Sequence, residues 1–244
     1  MRKRLSAIVA AMWLAACGGS AAEAPPVETT SEHDQPVHVQ PERTEEHDEV
    51  SITGLTGHLS QQEITLGLEV KQERFLQCFA NRLDAVDVLS GEIALTFHID
   101  VQGHVAWVFA ERSDLGDRET EQCIVGVAAG ARFHRPHGGE AEFTYPLTFD
   151  LPDDTRPALN WTPQRIARVL EEQVGVSARC RPDGSTAAYT ATMYVARGGT
   201  VLSVGVASST YDGVGGLECV AEAVRAWQMP NPGSYPAKVT FEVP

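Results

Sequence analysis

The feature that most constrains this chain is an internal echo. The stretch from Gly91 to Phe149 reads GEIALTFHIDVQGHVAWVFAERSDLGDRETEQCIVGVAAGARFHRPHGGEAEFTYPLTF. A weaker copy follows at a constant offset of 96 (199 − 103). Gly103 maps to Gly199, Val105 to Val201, Val108 to Val204, Ser113 to Ser209, Cys123 to Cys219, Pro136 to Pro232 and Thr144 to Thr240. Few residues are identical, but an ungapped match of a turn glycine, a cysteine and a proline marks two tandem copies of one small unit. The 244-residue chain has room for two such units, each with a modest core.

Each copy carries the same alternation of periods. In the first, Ser60-Gln61-Gln62-Glu63 has the capping-box pattern, and Ile64, Leu68, Phe75 and Phe79 recur at nearly helical spacing. This predicts a helix over about 61–81, with Gly67 an internal weak point. Ile93, Leu95, Phe97 and Ile99 then alternate with Thr96, His98 and Asp100 as in a half-buried strand. The run 101–104 turns it at Gly103, and Val105, Trp107 and Phe109 begin the returning strand. A second helix is expected over about 117–131, a loop over 136–139, and a last strand carrying Phe143, Tyr145, Leu147 and Phe149.

The second copy opens with Thr162 as a helix cap, Pro163 in the first turn, and Ile166, Val169, Leu170 and Val174 as the buried face. Its hairpin runs from Tyr189 to Val195, turns through 197–200 and returns over 201–207. A helix over about 214–227 and a strand carrying Val239, Phe241 and Val243 complete it. Helix, hairpin, helix, strand is a two-layer α+β unit with a small antiparallel sheet.

The N-terminus reads as an address. Arg2, Lys3 and Arg4 precede an apolar run of roughly ten residues, too short to span a bilayer comfortably. Leu14-Ala15-Ala16-Cys17 is similar to a bacterial lipobox, which would leave Cys17 as a lipidated first residue followed by a flexible Gly18-Gly19-Ser20. Several acyl chains on one cysteine hold firmly, at about 0.8 kcal/mol per buried CH₂. By resemblance to bacterial lipoproteins, Gly18 rather than Asp after the cysteine favours the outer membrane.

Beyond Gly18 the chain is rich in Ala, Pro, Glu, Thr, Asp and His with almost no large hydrophobe. Such a segment cannot offset the entropy of ordering. His33, His38 and His47 lie among its carboxylates without the spacing of a metal site. The expected organisation is a signal peptide over 1–17, a disordered acidic tether over 18–58, domains over 59–150 and 161–244, and a Pro-rich linker over 151–160. The formal charge of −14 becomes −17 (−14 − 3) once Arg2, Lys3 and Arg4 are removed. That balance keeps a secreted protein soluble and disfavours nucleic acid.

Five cysteines are present. Committing Cys17 to lipid leaves Cys78, Cys123, Cys180 and Cys219, for which three pairings exist. The repeat logic selects Cys78–Cys123 and Cys180–Cys219, one bridge per copy, and an oxidising periplasm would preserve them. A zinc site is the alternative, but no CxxC or paired histidine accompanies these cysteines.

The pattern also resembles a family. Cys78-Phe79, then G-x-I-x-L-x-F-x-I-x-x-x-G-x-V from Gly91 to Val105, one helical cysteine, F-x-x-P-x-G-G from Phe133 to Gly139 and Y-P-L-x-F from Tyr145 to Phe149 look like the AgmX/PglI C-terminal domain. That domain is related to the TonB C-terminal fold. The match is good over about 60–149 and looser in the second copy, where Arg181 follows the cysteine and Glu242 stands where Pro146 does. The resemblance implies tandem TonB-C-like domains that serve as a periplasmic protein–protein module without catalysis. It implies envelope-protein partners bound by strand addition to a sheet edge.

The residues themselves offer little chemistry. His98, His104, His134 and His137 lie near Asp100 and Glu140, but the second copy has Tyr194, Thr200, Pro230 and Gly233 in their places. Ser113 and Ser209 lack a G-x-S-x-G context, and the paired glycines 198–199 and 215–216 lack a following Lys-Ser/Thr. No cofactor, metal or enzymatic activity is expected. The expectation is a lipid-anchored outer-membrane protein presenting two interaction domains to the periplasm. The alternative is a lipoprotein that holds a small ligand or cell-wall fragment between its domains.

Overall fold

A computed structural model describes residues 57–244. Cys17, the expected signal peptide and nearly all of the expected tether lie outside the described residues. The chain runs α1 (Gln61–Glu69), α2 (Gln72–Ala80), β1 (Gly91–Ile99), β2 (Val105–Ser113), α3 (Arg118–Ala129) and β3 (Ala141–Phe149). It continues through β4 (Leu159–Trp161), α4 (Ala167–Glu172), α5 (Val176–Cys180), β5 (Tyr189–Val195), β6 (Val201–Ser208), α6 (Leu217–Arg225) and β7 (Ala237–Glu242). It is an α+β protein with two sheets, ordered β2-β1-β3 and β4-β7-β5-β6.

The two ladders are superimposable in register. Gly91 pairs with Phe149 and Leu95 with Tyr145, and 96 residues on Ala191 pairs with Phe241. His98 faces Trp107 as Tyr194 faces Ser203, and the lone bridges His104–Arg132 and Thr200–Gln228 correspond. Gly103 and Gly199 close their hairpins with φ of 88° and 87°. A Cβ there would also meet the carbonyl of Phe133 at 2.3 Å or of Met229 at 2.0 Å, so no side chain fits. Thr96–Thr144 and Thr192–Thr240 repeat one cross-strand hydroxyl contact at 2.9 and 2.8 Å.

Each half has its own core. Leu68, Phe75, Phe79, Phe97, Ile124, Phe133 and Phe143 anchor the first, and Ile166, Met193, Val206, Val220, Trp227 and Phe241 the second. Disulfides Cys78–Cys123 and Cys180–Cys219 tie the helices of each half together, with Cα atoms 5.7 and 5.4 Å apart.

Several sequence expectations differ from the structure. The first helix is two, α1 and α2, separated by a tight turn in which Lys71 N–H donates to the Leu68 carbonyl. The break is not at Gly67. A Cβ at 67 would sit 2.4 Å from Phe133, so this glycine admits an aromatic ring rather than weakening the helix. The capping box at Ser60 and Glu63 is fully formed.

The single helix expected after Thr162 is a 3₁₀ turn over Pro163–Ile166 followed by α4 and α5. Thr162 makes no side-chain cap bond. Gly175, at φ 88°, resets the phase, so Val174 is 72% exposed and Val176 is buried in its place. The joint 151–160 is not merely a linker, since β4 begins inside it and pairs parallel with β7, which makes the second sheet mixed. Three residues are too few to show a period. The far end of the tether is also ordered: His58 exchanges two backbone bonds with His137, both 2.9 Å.

Replacing Cys180 and Cys219 by alanine releases a loop spanning 39 residues of sequence separation. The loss expected is about 2–4 kcal/mol. Urea unfolding of the oxidised protein and the double variant measures it, and an unchanged midpoint would contradict this role.

Candidate functional site

Two places can carry function: the seam between the halves and the sheet edge that the seam leaves open. At the seam, β2 and β6, which end their respective sheets, lie against one another. Val243 N–H donates to the Tyr189 carbonyl. Tyr189, Ala191 and Met193 therefore turn their backbone groups toward β7, and their β6 partners Val204, Val206 and Ser208 turn theirs outward. The outward Val206 N–H donates to Glu121 Oε2 at 2.9 Å. The other oxygen, Oε1, accepts from Ser113 Oγ at 2.7 Å. A carboxylate from α3 of the first half thus caps an edge strand of the second.

Glu121 is fully buried, and burial pushes its carboxyl up to about 7. The bonds from Ser113 and Val206 and the Arg118 guanidinium 3.7 Å away oppose that rise. Gly205 makes the approach possible, since a Cβ there would lie 2.3 Å from Glu121 Oε1. Beside it, Asp117 caps α3 through the Thr120 N–H and receives a two-pronged bond from Arg82 at 2.9 and 3.0 Å.

Further polar bonds cross the seam. Ser203 Oγ donates to the Gly116 carbonyl at 2.8 Å. The Tyr194 hydroxyl accepts from Ser90 N–H at 3.0 Å and donates to the Ser90 carbonyl at 3.1 Å. Burial pushes that phenol up to about 12. Lys238 donates to the same carbonyl at 2.8 Å and stands 3.3 Å from Asp114. Trp107 is half-buried and stacks on Tyr211 across the seam, centroids 4.7 Å apart.

A recess of about 200 Å³ opens here. Of the arginines that line it, Arg82 is paired with Asp117 and Glu119, and Arg118 stands 3.7 Å from Glu121 and 3.6 Å from Glu218.

The open edge is β3. Asp114 N–H donates to the Glu92 carbonyl, so Glu92, Ala94, Thr96 and His98 turn their backbone groups toward β2. The odd residues of β1 therefore bond β3, and Glu142, Thr144, Pro146 and Thr148 turn outward. Among the described residues no strand pairs with that side. Pro146 interrupts it without blocking it, because Pro lacks only the donor.

Alongside lies a groove of about 270 Å³ between α1–α2 and β3, lined by Leu68, Phe75, Leu76, Tyr145 and Leu147. Leu76 is 52% exposed. The corresponding edge of the second sheet is covered in part by β4.

The four histidines of the first copy do not converge. His98 Nε2 meets Glu140 at 3.1 Å, His104 pairs with Asp100 at 3.4 Å and His137 with Glu63 at 3.6 Å, while His134 lines a separate shallow recess. Among the described residues no three His, Cys, Asp or Glu side chains are placed to hold a metal ion. No described helix is long and apolar enough to cross a membrane. Ser113 is the donor to Glu121. Nothing in the periodicity distinguishes Glu121 from a solvated helix position, and only its partners in the other half do.

Searches against protein-family models, curated proteins and solved structures find no match.

The buried carboxylate carries a pH dependence. The folded carboxyl holds its proton up to about 7, above the unfolded value near 4.5. Its contribution is therefore complete below the unfolded value and is lost as pH rises through about 7. Between pH 6 and 8 this group should remove on the order of 1 kcal/mol of stability. Glu121→Gln keeps an acceptor for Val206 and a polar partner for Ser113, so it should flatten that loss. Urea unfolding at both pH values tests this, and an unchanged difference between them would reject it.

Proposed function

We propose that this chain is a non-catalytic envelope lipoprotein whose two halves are tandem TonB-C-like domains, and that it binds protein partners by adding a strand to β3. One observation carries this reading. The outward backbone of Glu142, Thr144 and Thr148 lacks a strand partner among the described residues and runs beside an apolar groove. Backbone groups at such an edge give affinity, and pockets beside it select alternate side chains.

The other edges are poor acceptors. β2 and β6 face each other at the seam, and β4 covers part of the last. Two disulfides suit an oxidising compartment. Lipidation of Cys17 would hold the protein at the outer membrane, and the acidic tether would let the domains reach into the periplasm. Partners are then envelope proteins offering an extended segment with apolar residues at every second position, within an assembly of the cell-envelope or motility type.

A photo-cross-linking residue at Leu76 should yield a discrete partner adduct in cells. The same residue at Val174, exposed on the second half, should not. Thr148→Pro, which removes an outward donor, should weaken the Leu76 adduct several-fold. No adduct at Leu76, or equal adducts at both positions, would overturn the interaction reading. Cys17→Ser should release the protein from the membrane fraction, and continued retention would refute the anchor.

A further inference from the structure

The recess at the seam has more donors than acceptors to meet them. Arg118 is the first residue of α3, and its side chain is only 11% exposed. Its Nε is buried with no hydrogen-bond partner among the described residues. Carboxylate oxygens of Glu218 and Glu121 stand 3.6 and 3.7 Å from the guanidinium, beyond hydrogen-bond reach. Arg225, exposed at the end of α6, forms no ion pair among the described residues.

The acceptors lining the recess are better served. Asp117 accepts twice from Arg82 and once from the Thr120 N–H. Glu119 stands 2.7 Å from Arg82 Nη1, and Glu218 accepts from Gln122 Nε2 at 2.9 Å. The Ser203 hydroxyl donates to the Gly116 carbonyl. A donor held out of water without an acceptor is costly, so the group this recess suits is an acceptor.

Charge narrows the choice. Three arginines and three carboxylates, Asp117, Glu119 and Glu218, line the recess. That balance tolerates one added negative charge and opposes two. Burial keeps the Glu121 carboxyl protonated up to about 7, so below that it does not cancel the Arg118 charge. A guanidinium presents its N–H groups as a fork that matches the two oxygens of a carboxylate.

Size narrows it further. The volume of about 200 Å³ is below the roughly 300–1,000 Å³ of pockets for drug-sized ligands. Leu202, 42% exposed on β6, supplies an apolar wall. We propose that the recess binds a small organic monocarboxylate, its oxygens on the Arg118 and Arg225 guanidiniums and its carbon chain against Leu202. Arg118 comes from the first half and Arg225 and Leu202 from the second, so the site exists only where the halves meet.

Titration of the full chain with N-acetylalanine, followed by the Arg118 Nε–H and Ser203 amide resonances, tests this. Both signals should shift saturably, with a Kd on the order of 1 mM. N-acetylalaninamide, which lacks the charge, should leave them in place. Arg118→Gln and Arg225→Gln, followed at the Ser203 amide, should each weaken binding about tenfold. Arg225 is exposed, so its variant tests the site even where Arg118→Gln disturbs the seam. Glu218→Gln removes the carboxylate that competes for Arg118 and should tighten binding several-fold. A shift that stays linear with concentration would overturn the proposal, as would equal binding of the amide. Affinity unchanged in either arginine variant, or failing to rise in Glu218→Gln, would overturn it too. Inorganic phosphate that binds as tightly as N-acetylalanine would sink the monocarboxylate assignment.

Discussion

The structure depends on how two edge strands are kept from being sticky. A strand at the end of a sheet presents unpaired N–H and C=O groups, and an unmet donor taken out of water costs free energy. Here β2 and β6 are brought together, and the outward Val206 amide is met by the Glu121 carboxylate. Glu121 is held in turn by Ser113 and lies over Gly205. The carboxyl is raised toward neutrality by burial, so the clasp is formed by a group close to its own titration. That contact joins the α3 helix of one half to the sheet of the other, alongside the Ser203–Gly116, Tyr194–Ser90 and Trp107–Tyr211 contacts.

The seam retains the trace of a two-fold relation and departs from it. Gln122 Nε2 donates to Glu218 Oε2 at 2.9 Å, and these positions are 96 apart, so equivalent residues of the two halves touch. That is the contact expected at the axis of an isologous pair. Away from it the halves differ. Glu121 corresponds to Leu217, Asp117 to Gly213, Trp107 to Ser203 and His98 to Tyr194. The first half supplies the buried carboxylates, Glu121 and Asp117. The second supplies the open backbone, the glycine beneath it and the tyrosine that reaches Ser90. A seam built this way favours one arrangement of the halves, because exchanging them would leave Leu217 where the carboxylate is needed.

What was legible in the sequence follows from what periodicity can report. The α+β class, the two hairpins and α3 came from apolar spacing, which records a residue's own burial within its element. The same argument misplaced the face of the helix after Thr162, because Gly175 resets the phase and moves burial from Val174 to Val176. It overlooked β4, which is three residues long and defined by pairing with β7 rather than by pattern. It also read the outer faces of the hairpins as solvated. Thr96, Thr192 and Ser203 are buried there. Polar residues on an outward face look alike whether they meet water or another half of the same chain, so the seam and Glu121 had no local signature.

The same seam explains why the open edge is where it is. Joining two three-stranded ladders through β2 and β6 uses one edge of each and leaves β3 and β7 outermost. In the second half the polypeptide entering the domain lies on β7 as β4. In the first half the polypeptide entering the domain meets the corresponding place at Gly57. Both copies therefore bring their own leading segment to the edge opposite the seam, although β4 runs parallel and the His58 bridge antiparallel. Each sheet thus sets one edge strand against the other sheet, and among the described residues the outward side of β3 has no strand partner.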